Sequence, residues 1–142
     1  MPRVTLWSGT VIIILWLGCC NPQPPAPLTL TDQDAGTRVE LRVGDSLLVA
    51  LEDNPATGFA WDPQSIDTMI LEQKESVYTP ADSPPGVSGV GGTLTMRFQA
   101  VGAGETTLRL IYHRWFEPDT APAQVFEVTV AVGEWQTGTG LK

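Results

Sequence analysis

Cysteine is almost absent from this chain of 142 residues, and its only two cysteines, Cys19 and Cys20, are adjacent and close to the N-terminus. The rest of the chain therefore has no disulfide, and hydrophobic packing has to hold its fold together. Histidine is equally scarce, with His113 alone. One histidine, with no serine or cysteine nearby in a nucleophile motif and no second histidine, provides neither a catalytic triad nor a zinc site. We interpret His113 as a solvated residue at a strand end, and we expect no metal ion and no cofactor.

Basic residues are also few, 8 against 16 acidic ones. Binding to nucleic acid needs clustered lysine and arginine, so nucleic acid is excluded as a partner. Two acidic pairs, Glu52 with Asp53 and Glu117 with Asp119, would serve as acid and base in a hydrolase only if they met across a cleft. We interpret them as solvated charges or turn caps, and we expect that the chain is not an enzyme.

Long hydrophobic runs are absent except near the N-terminus, where residues 11–17 are apolar but too few to span a bilayer comfortably. This run is typical of an export signal, and Gly18 followed by Cys19 resembles the cleavage box of bacterial lipoproteins. The resemblance implies a signal peptide over residues 1–19 and acylation of Cys19, or alternatively of Cys20. A plain cleaved signal and an uncleaved anchor remain alternatives.

Prolines dominate the next segment, with four of them in residues 21–27. Such a segment is too stiff and extended to join a core, so residues 20–27 are predicted to be a tether that holds a domain off a membrane. Neither Cys20 nor Asn21 is the aspartate that retains lipoproteins at the inner membrane. We therefore expect an exported, lipid-anchored protein of the cell envelope, in the outer membrane or periplasm if the cell is Gram-negative.

Residues 28–133 are long enough for one domain and too short for two, with residues 134–142 as a C-terminal tail. Alternation with period two dominates them, over residues 38–43, 46–51, 93–100, 105–112 and 124–132, and a further strand is expected to begin near Met69. About seven short strands and no long amphipathic helix predict an all-β fold, an immunoglobulin-like antiparallel β-sandwich. Gly102 and Gly104 predict a tight hairpin between two of the strands.

One stretch near the middle of the chain passes directly from turn residues into an aromatic strand. Asn54 can bond its own backbone in an Asx turn, Pro55 fixes φ, and Gly58 can take the positive φ that closes the bend. The result is predicted to be a stiff, projecting tip with residues 56 and 57 at its apex. Trp61 is expected in the core, where it anchors the base of this loop.

Three motifs follow one another along the chain: Asn54-Pro55-x-Thr57-Gly58-Phe59-x-Trp61, then Gly89-x-Gly91-Gly92-Thr93, then Tyr112-x-Arg114 followed by aromatic residues. In residues, order and spacing they resemble the chagasin family of cysteine-peptidase inhibitors, over about residues 28–132. The resemblance implies an immunoglobulin-like sandwich with three loops at one end. It also implies that these loops form a wedge that plugs the active-site cleft of papain-like cysteine peptidases reversibly, without covalent chemistry.

Carried over residue by residue, the resemblance implies a set of peptidase-binding positions in the three loops. They are Asn54, Pro55, Ala56, Thr57, Gly58 and Phe59 in the first, Gly89, Gly91 and Gly92 in the second, and Arg114, Trp115 and Phe116 in the third. Ala56 stands where several relatives have threonine, and Trp115 replaces the proline that usually follows the arginine.

The third loop leaves two alternatives open. Either Trp115 or Phe116 is the binding aromatic, while the other packs inward and closes the sandwich end. Arg114 either contacts the peptidase or forms a surface salt bridge to Glu117 or Asp119.

The sequence thus predicts a monomeric, membrane-tethered inhibitor whose partner is a papain-like cysteine peptidase. The alternative from another class is an envelope lipoprotein that serves in adhesion or assembly and binds a protein or glycan through the same sandwich.

Overall fold

The alternating segments fold into two four-stranded sheets in the computed structural model, which describes residues 25–134. Cys19, Cys20, most of the tether and nearly all of the C-terminal tail lie outside these residues. The strands are β1 Leu28–Thr31, β2 Arg38–Arg42, β3 Ser46–Asp53, β4 Phe59–Ser65, β5 Leu71–Pro80, β6 Gly92–Ala100, β7 Gly104–Arg114 and β8 Gln124–Gly133, with short 3-10 turns at Asp32–Asp34 and Pro55–Thr57. Among residues 25–134, no helix has the length and apolarity needed to cross a membrane.

The strands lie in the order β1-β3-β6-β5 in one sheet and β2-β8-β7-β4 in the other. The predicted all-β, immunoglobulin-like sandwich is therefore confirmed, with eight strands in the described chain. Most neighbouring strands pair in antiparallel fashion, but β1 runs parallel to β3 and β2 runs parallel to β8. Parallel neighbours need a crossover connection, and here β1 and β3 are linked through β2, which lies in the opposite sheet.

The core lies between the two sheets and is built from alternate residues of each strand. In β8, Phe126, Val128, Val130 and Val132 all face inward and are buried. Phe98 of β6 lies opposite in the other sheet and is fully buried. Burial of each such side chain contributes about 1.5 to 3 kcal/mol, so packing alone can stabilise a domain without disulfides.

The hairpin predicted at Gly102 and Gly104 is wrong, because β6 and β7 lie in different sheets. The glycines instead allow a close approach of the connection between β4 and β5. A Cβ atom on Gly102 would overlap the backbone oxygen of Met69, and the amide of Val101 donates to the carbonyl of Ile70 at 2.8 Å. The strand expected near Met69 begins at Leu71, after a turn.

Candidate functional site

The three loops singled out in the sequence leave the same end of the sandwich. Residues 54–58, here the central loop, connect β3 to β4. Residues 81–91, the glycine loop, connect β5 to β6, and residues 115–123, the aromatic loop, connect β7 to β8. Strand register brings them together, because Asp53 pairs with Gly92 and Phe59 pairs with Arg114. The central loop therefore lies beside the glycine loop at its β3 end and beside the aromatic loop at its β4 end.

The central loop is a single 3-10 turn held by its own hydrogen bonds. The Thr57 amide and hydroxyl both donate to the Asn54 carbonyl, at 3.0 and 2.7 Å, and the Gly58 amide donates to the Pro55 carbonyl at 3.2 Å. Gly58 closes the turn with φ of 78°, as predicted. Ala56 and Thr57 are exposed at the apex, so the loop presents a small and rigid tip.

The side chain of Asn54 does not form the predicted Asx turn. Its Nδ2 instead donates to the carbonyl of Gly89 at 3.2 Å, and this bond joins the central loop to the glycine loop. The sequence could not indicate this partner, because the two residues are 35 positions apart. Two of the three loops are thus coupled directly.

The base of the central loop rests on a cluster of aromatic rings. Trp61 is buried, and its indole nitrogen donates to the carbonyl of Glu52 at 2.9 Å, which confirms the predicted anchor. Tyr112 packs between Phe59 and Trp61, with ring centroids 5.2 and 5.0 Å away, and its hydroxyl accepts a bond from the Asn54 amide at 3.3 Å. Tyr112 was not among the predicted site residues, although its alternation in β7 and its place in the third motif signalled an inward ring.

The glycines of the second motif serve two different needs. Gly89 takes a positive φ of 79° in open space. Gly92 has no room for a side chain, because a Cβ there would overlap the backbone of Thr79. Gly91 has little room, because a Cβ there would lie 3.0 Å from the Asp53 carbonyl oxygen. The absence of side chains therefore lets the glycine loop lie directly against the ends of β3 and β5.

Arg114 is held in place within its own domain. Its guanidinium lies over the ring of Phe59, 4.7 Å from the centroid, and its Nη1 is 3.4 Å from a carboxylate oxygen of Glu117. The salt bridge to Glu117, one of the alternatives for Arg114, is therefore present. Stacking on an aromatic face and pairing with a carboxylate both orient the guanidinium, and they leave the side chain partly exposed beside the central loop.

Neither aromatic residue of the third loop enters the core. Trp115 is 72 % exposed and Phe116 is 52 % exposed, with their rings edge to face at a centroid distance of 5.4 Å. Phe116 lies against the central loop, where a Cβ on Gly58 would be 3.1 Å from its ring. The expectation that one of the two rings packs inward is not met, and both rings are available at the surface.

Two of the residues considered for catalysis, His113 and Glu117, are engaged by neighbouring side chains. His113 is mostly buried, and its Nε2 lies 2.8 Å from a carboxylate oxygen of Asp62, so it is not the solvated residue that the sequence suggested. Glu117 is engaged with Arg114. Across residues 25–134 no three histidine, cysteine, aspartate or glutamate side chains converge as metal ligands.

Comparison with known proteins gives the same picture. Residues 40–130 match the profile of the chagasin family peptidase inhibitor I42. Amoebiasin-2 of Entamoeba histolytica is 26 % identical over 114 residues, which are 80 % of this chain and 91 % of that protein.

Two solved structures share the fold. The crystal structure of the cysteine protease inhibitor EhICP2 from Entamoeba histolytica has a TM-score of 0.68 and 22 % identity, and covers 75 % of this chain and 95 % of the other. PbICP-C, solved in complex with falcipain-2, has a TM-score of 0.52 and 18 % identity, and covers 78 % of this chain and 92 % of the other. The family profile spans more than half of the chain, and its members are peptidase inhibitors, as the sequence predicted. The chain belongs to the chagasin family of peptidase inhibitors and is not an enzyme.

Proposed function

We propose that the domain inhibits papain-like cysteine peptidases by inserting its three loops into the active-site cleft. The convergence of a rigid tip, a glycine loop and two exposed rings at one end of the sandwich carries this proposal. Family membership supports it, as do EhICP2, which is a cysteine protease inhibitor, and PbICP-C, which forms a complex with falcipain-2.

The central loop is suited to enter a narrow cleft. Its apex carries only the methyl group of Ala56 and the side chain of Thr57, whose hydroxyl is already bonded to the Asn54 carbonyl. A loop fixed by its own bonds loses little conformational entropy on binding. Neither Ala56 nor Thr57 carries an electrophilic side chain that a catalytic cysteine could attack, so the proposed inhibition is reversible and steric.

The flanking loops supply the remaining contact area. The glycine loop exposes backbone that can approach the peptidase as an extended substrate does. On the other side, Trp115 and Phe116 are large rings that are only partly covered in the free domain. Residues of this type commonly contribute about 2 kcal/mol or more to an interface when they become buried.

Titration of papain with the purified protein tests the proposal. We expect stoichiometric loss of activity at micromolar inhibitor or below, and recovery of activity on dilution. Replacing Thr57 and Gly58 together with bulky residues should abolish inhibition, whereas an adhesion function elsewhere on the sandwich would survive that change. Absence of inhibition by protein whose circular dichroism shows a folded β-sandwich would overturn the proposal.

We further propose that the protein is exported and held at the cell envelope by acylation of Cys19. The apolar run before it, the Gly18-Cys19 pair and the proline-rich segment after it support this location. Metabolic labelling with a palmitate analogue in a bacterial host tests it, with Cys19→Ala and Cys20→Ala as a matched pair. Label retained in Cys19→Ala and lost in Cys20→Ala would reassign the lipid to Cys20, and label absent from the unchanged protein would refute acylation.

A further inference from the structure

A cavity of about 480 Å³ opens beside the wedge, between the end of β3 and the glycine loop. Glu52, Asp53 and Asn54 line one side, Gly91 and Gly92 line another, and Tyr112 contributes a further wall. The cavity therefore borders two of the three loops that the proposed function places against a peptidase. None of the residues that line it is basic.

Asp53 is an unusual residue for such a position. It follows Leu47, Val49 and Leu51 on the inward face of β3, and it is only 8 % exposed. Its Oδ1 is buried and has no hydrogen-bond partner among the described residues. A buried carboxylate oxygen without a partner is costly, because it has lost its water and gained nothing in exchange.

Asn54 adds a second acceptor to the same wall. Its Nδ2 is used in the bond to the Gly89 carbonyl, while its Oδ1 is buried and also has no partner in the described part of the chain. Glu52, an exposed residue, also lines the cavity. The wall thus carries negative charge and, just beneath its surface, two unused acceptors, which favour a cationic group that donates several hydrogen bonds.

We propose that this cavity receives the guanidinium of an arginine side chain from the bound peptidase, an inference that rests on the proposed function. A guanidinium carries five N–H donors in one plane and pairs well with a carboxylate and a neighbouring amide oxygen. A small rotation of the Asp53 and Asn54 side chains toward the cavity would let one guanidinium satisfy both oxygens. The cavity then acts as a specificity site next to the wedge, and it favours peptidases with an arginine beside the cleft.

A titration of the free protein with ethylguanidinium tests the cavity without any peptidase. We expect saturable shifts of the backbone amide NMR signals of Gly91, Gly92 and Thr93, at least fivefold larger than those caused by the neutral analogue ethylurea. Sodium chloride at equal ionic strength is the control for charge screening. Equal shifts from ethylguanidinium and ethylurea would overturn the proposal. This comparison uses only the unchanged protein.

Asp53→Asn is nearly the same size as the native residue and removes the charge. We expect this variant to lose most of the ethylguanidinium shifts, whereas Glu40→Gln, an exposed charge removal on β2, should keep them. Unchanged shifts in Asp53→Asn would assign the binding elsewhere and refute the site.

The peptidase assay then separates this inference from the function. Against a peptidase with an arginine beside its cleft, Asp53→Asn should raise the inhibition constant at least fivefold at low salt and less at 1 M sodium chloride. Inhibition by Asp53→Asn equal to that of Glu40→Gln would refute the role of the cavity and leave the inhibitor function intact. Failure of the unchanged protein to inhibit would refute the function, while the titration would still decide whether the cavity binds guanidinium.

Discussion

Replacing Gly58 with alanine should separate the stability of the domain from the shape of its wedge. Gly58 adopts φ of 78°, and an added Cβ would lie 3.1 Å from the ring of Phe116. The left-handed conformation costs a non-glycine residue about 1 to 2 kcal/mol. Phe116 is 52 % exposed and can move away, so the steric contact adds little to the loss of stability. We expect the free energy of unfolding to fall by about 1 to 2 kcal/mol.

The effect on inhibition should be larger. A displaced Phe116 ring no longer stands beside the tip, and the loss of one aromatic anchor commonly costs about 2 kcal/mol, or about 30-fold in the inhibition constant. Urea denaturation followed by tryptophan fluorescence measures the first quantity, and steady-state inhibition of papain measures the second. Both are measured on the same preparation.

Gly36→Ala is the matched control, because Gly36 has φ of 81° and nothing within 4 Å of an added Cβ. It lies between β1 and β2, outside the three loops. It should lose similar stability and inhibit normally. Equal inhibition by Gly58→Ala and Gly36→Ala would refute the role of Phe116 beside the tip. An unchanged inhibition constant in Phe116→Ala, which removes the ring, would refute it as well.

Three further substitutions test the other parts of the loop end. Asn54→Ala removes the bond to the Gly89 carbonyl, so amide hydrogen exchange in the glycine loop should speed up and inhibition should weaken several-fold, about 1 kcal/mol; unaltered exchange would mean that this bond does not order the loop. Trp61→Phe leaves the Glu52 carbonyl without its indole donor, so urea denaturation should show a loss of about 1 to 3 kcal/mol, and a smaller change would argue against the anchor. Trp115→Ala should leave stability within about 0.5 kcal/mol, since the ring is 72 % exposed, yet weaken inhibition of papain about 30-fold; normal inhibition would remove Trp115 from the interface.

The fold was largely predictable because alternation reports which side of a strand is buried. Phe126, Val128 and Val130 follow that rule in β8, and Trp61 lies in the core as its position after the loop predicted. Alternation does not report which strands pair. Gly102 and Gly104 therefore looked like a hairpin, whereas their real role is to let another connection pass close by.

The loop positions were identified from motifs, but their contacts were not. The side chain of Asn54 bonds to Gly89, which is 35 residues away along the chain. Sequence alone does not indicate which residues so far apart come into contact. Trp115 and Phe116 are both large and apolar, so composition favoured burial of one of them. Their exposure follows from the loop, which carries both rings past the end of β7.

The parallel pairing of β1 with β3 places the start of β1 at the end of the sandwich opposite the three loops. Leu28 is level with Leu47, and β3 then runs to Asp53, so the chain enters about 20 Å from the central loop. β8 also ends at the end of the sandwich opposite the three loops, where Gly133 pairs with Arg42. A lipid, a purification tag or a solid support attached beyond Leu28 or Gly133 would therefore join the domain at the end opposite the three loops. The same geometry allows a fluorophore or a second inhibitor domain to be fused there without competing with the peptidase.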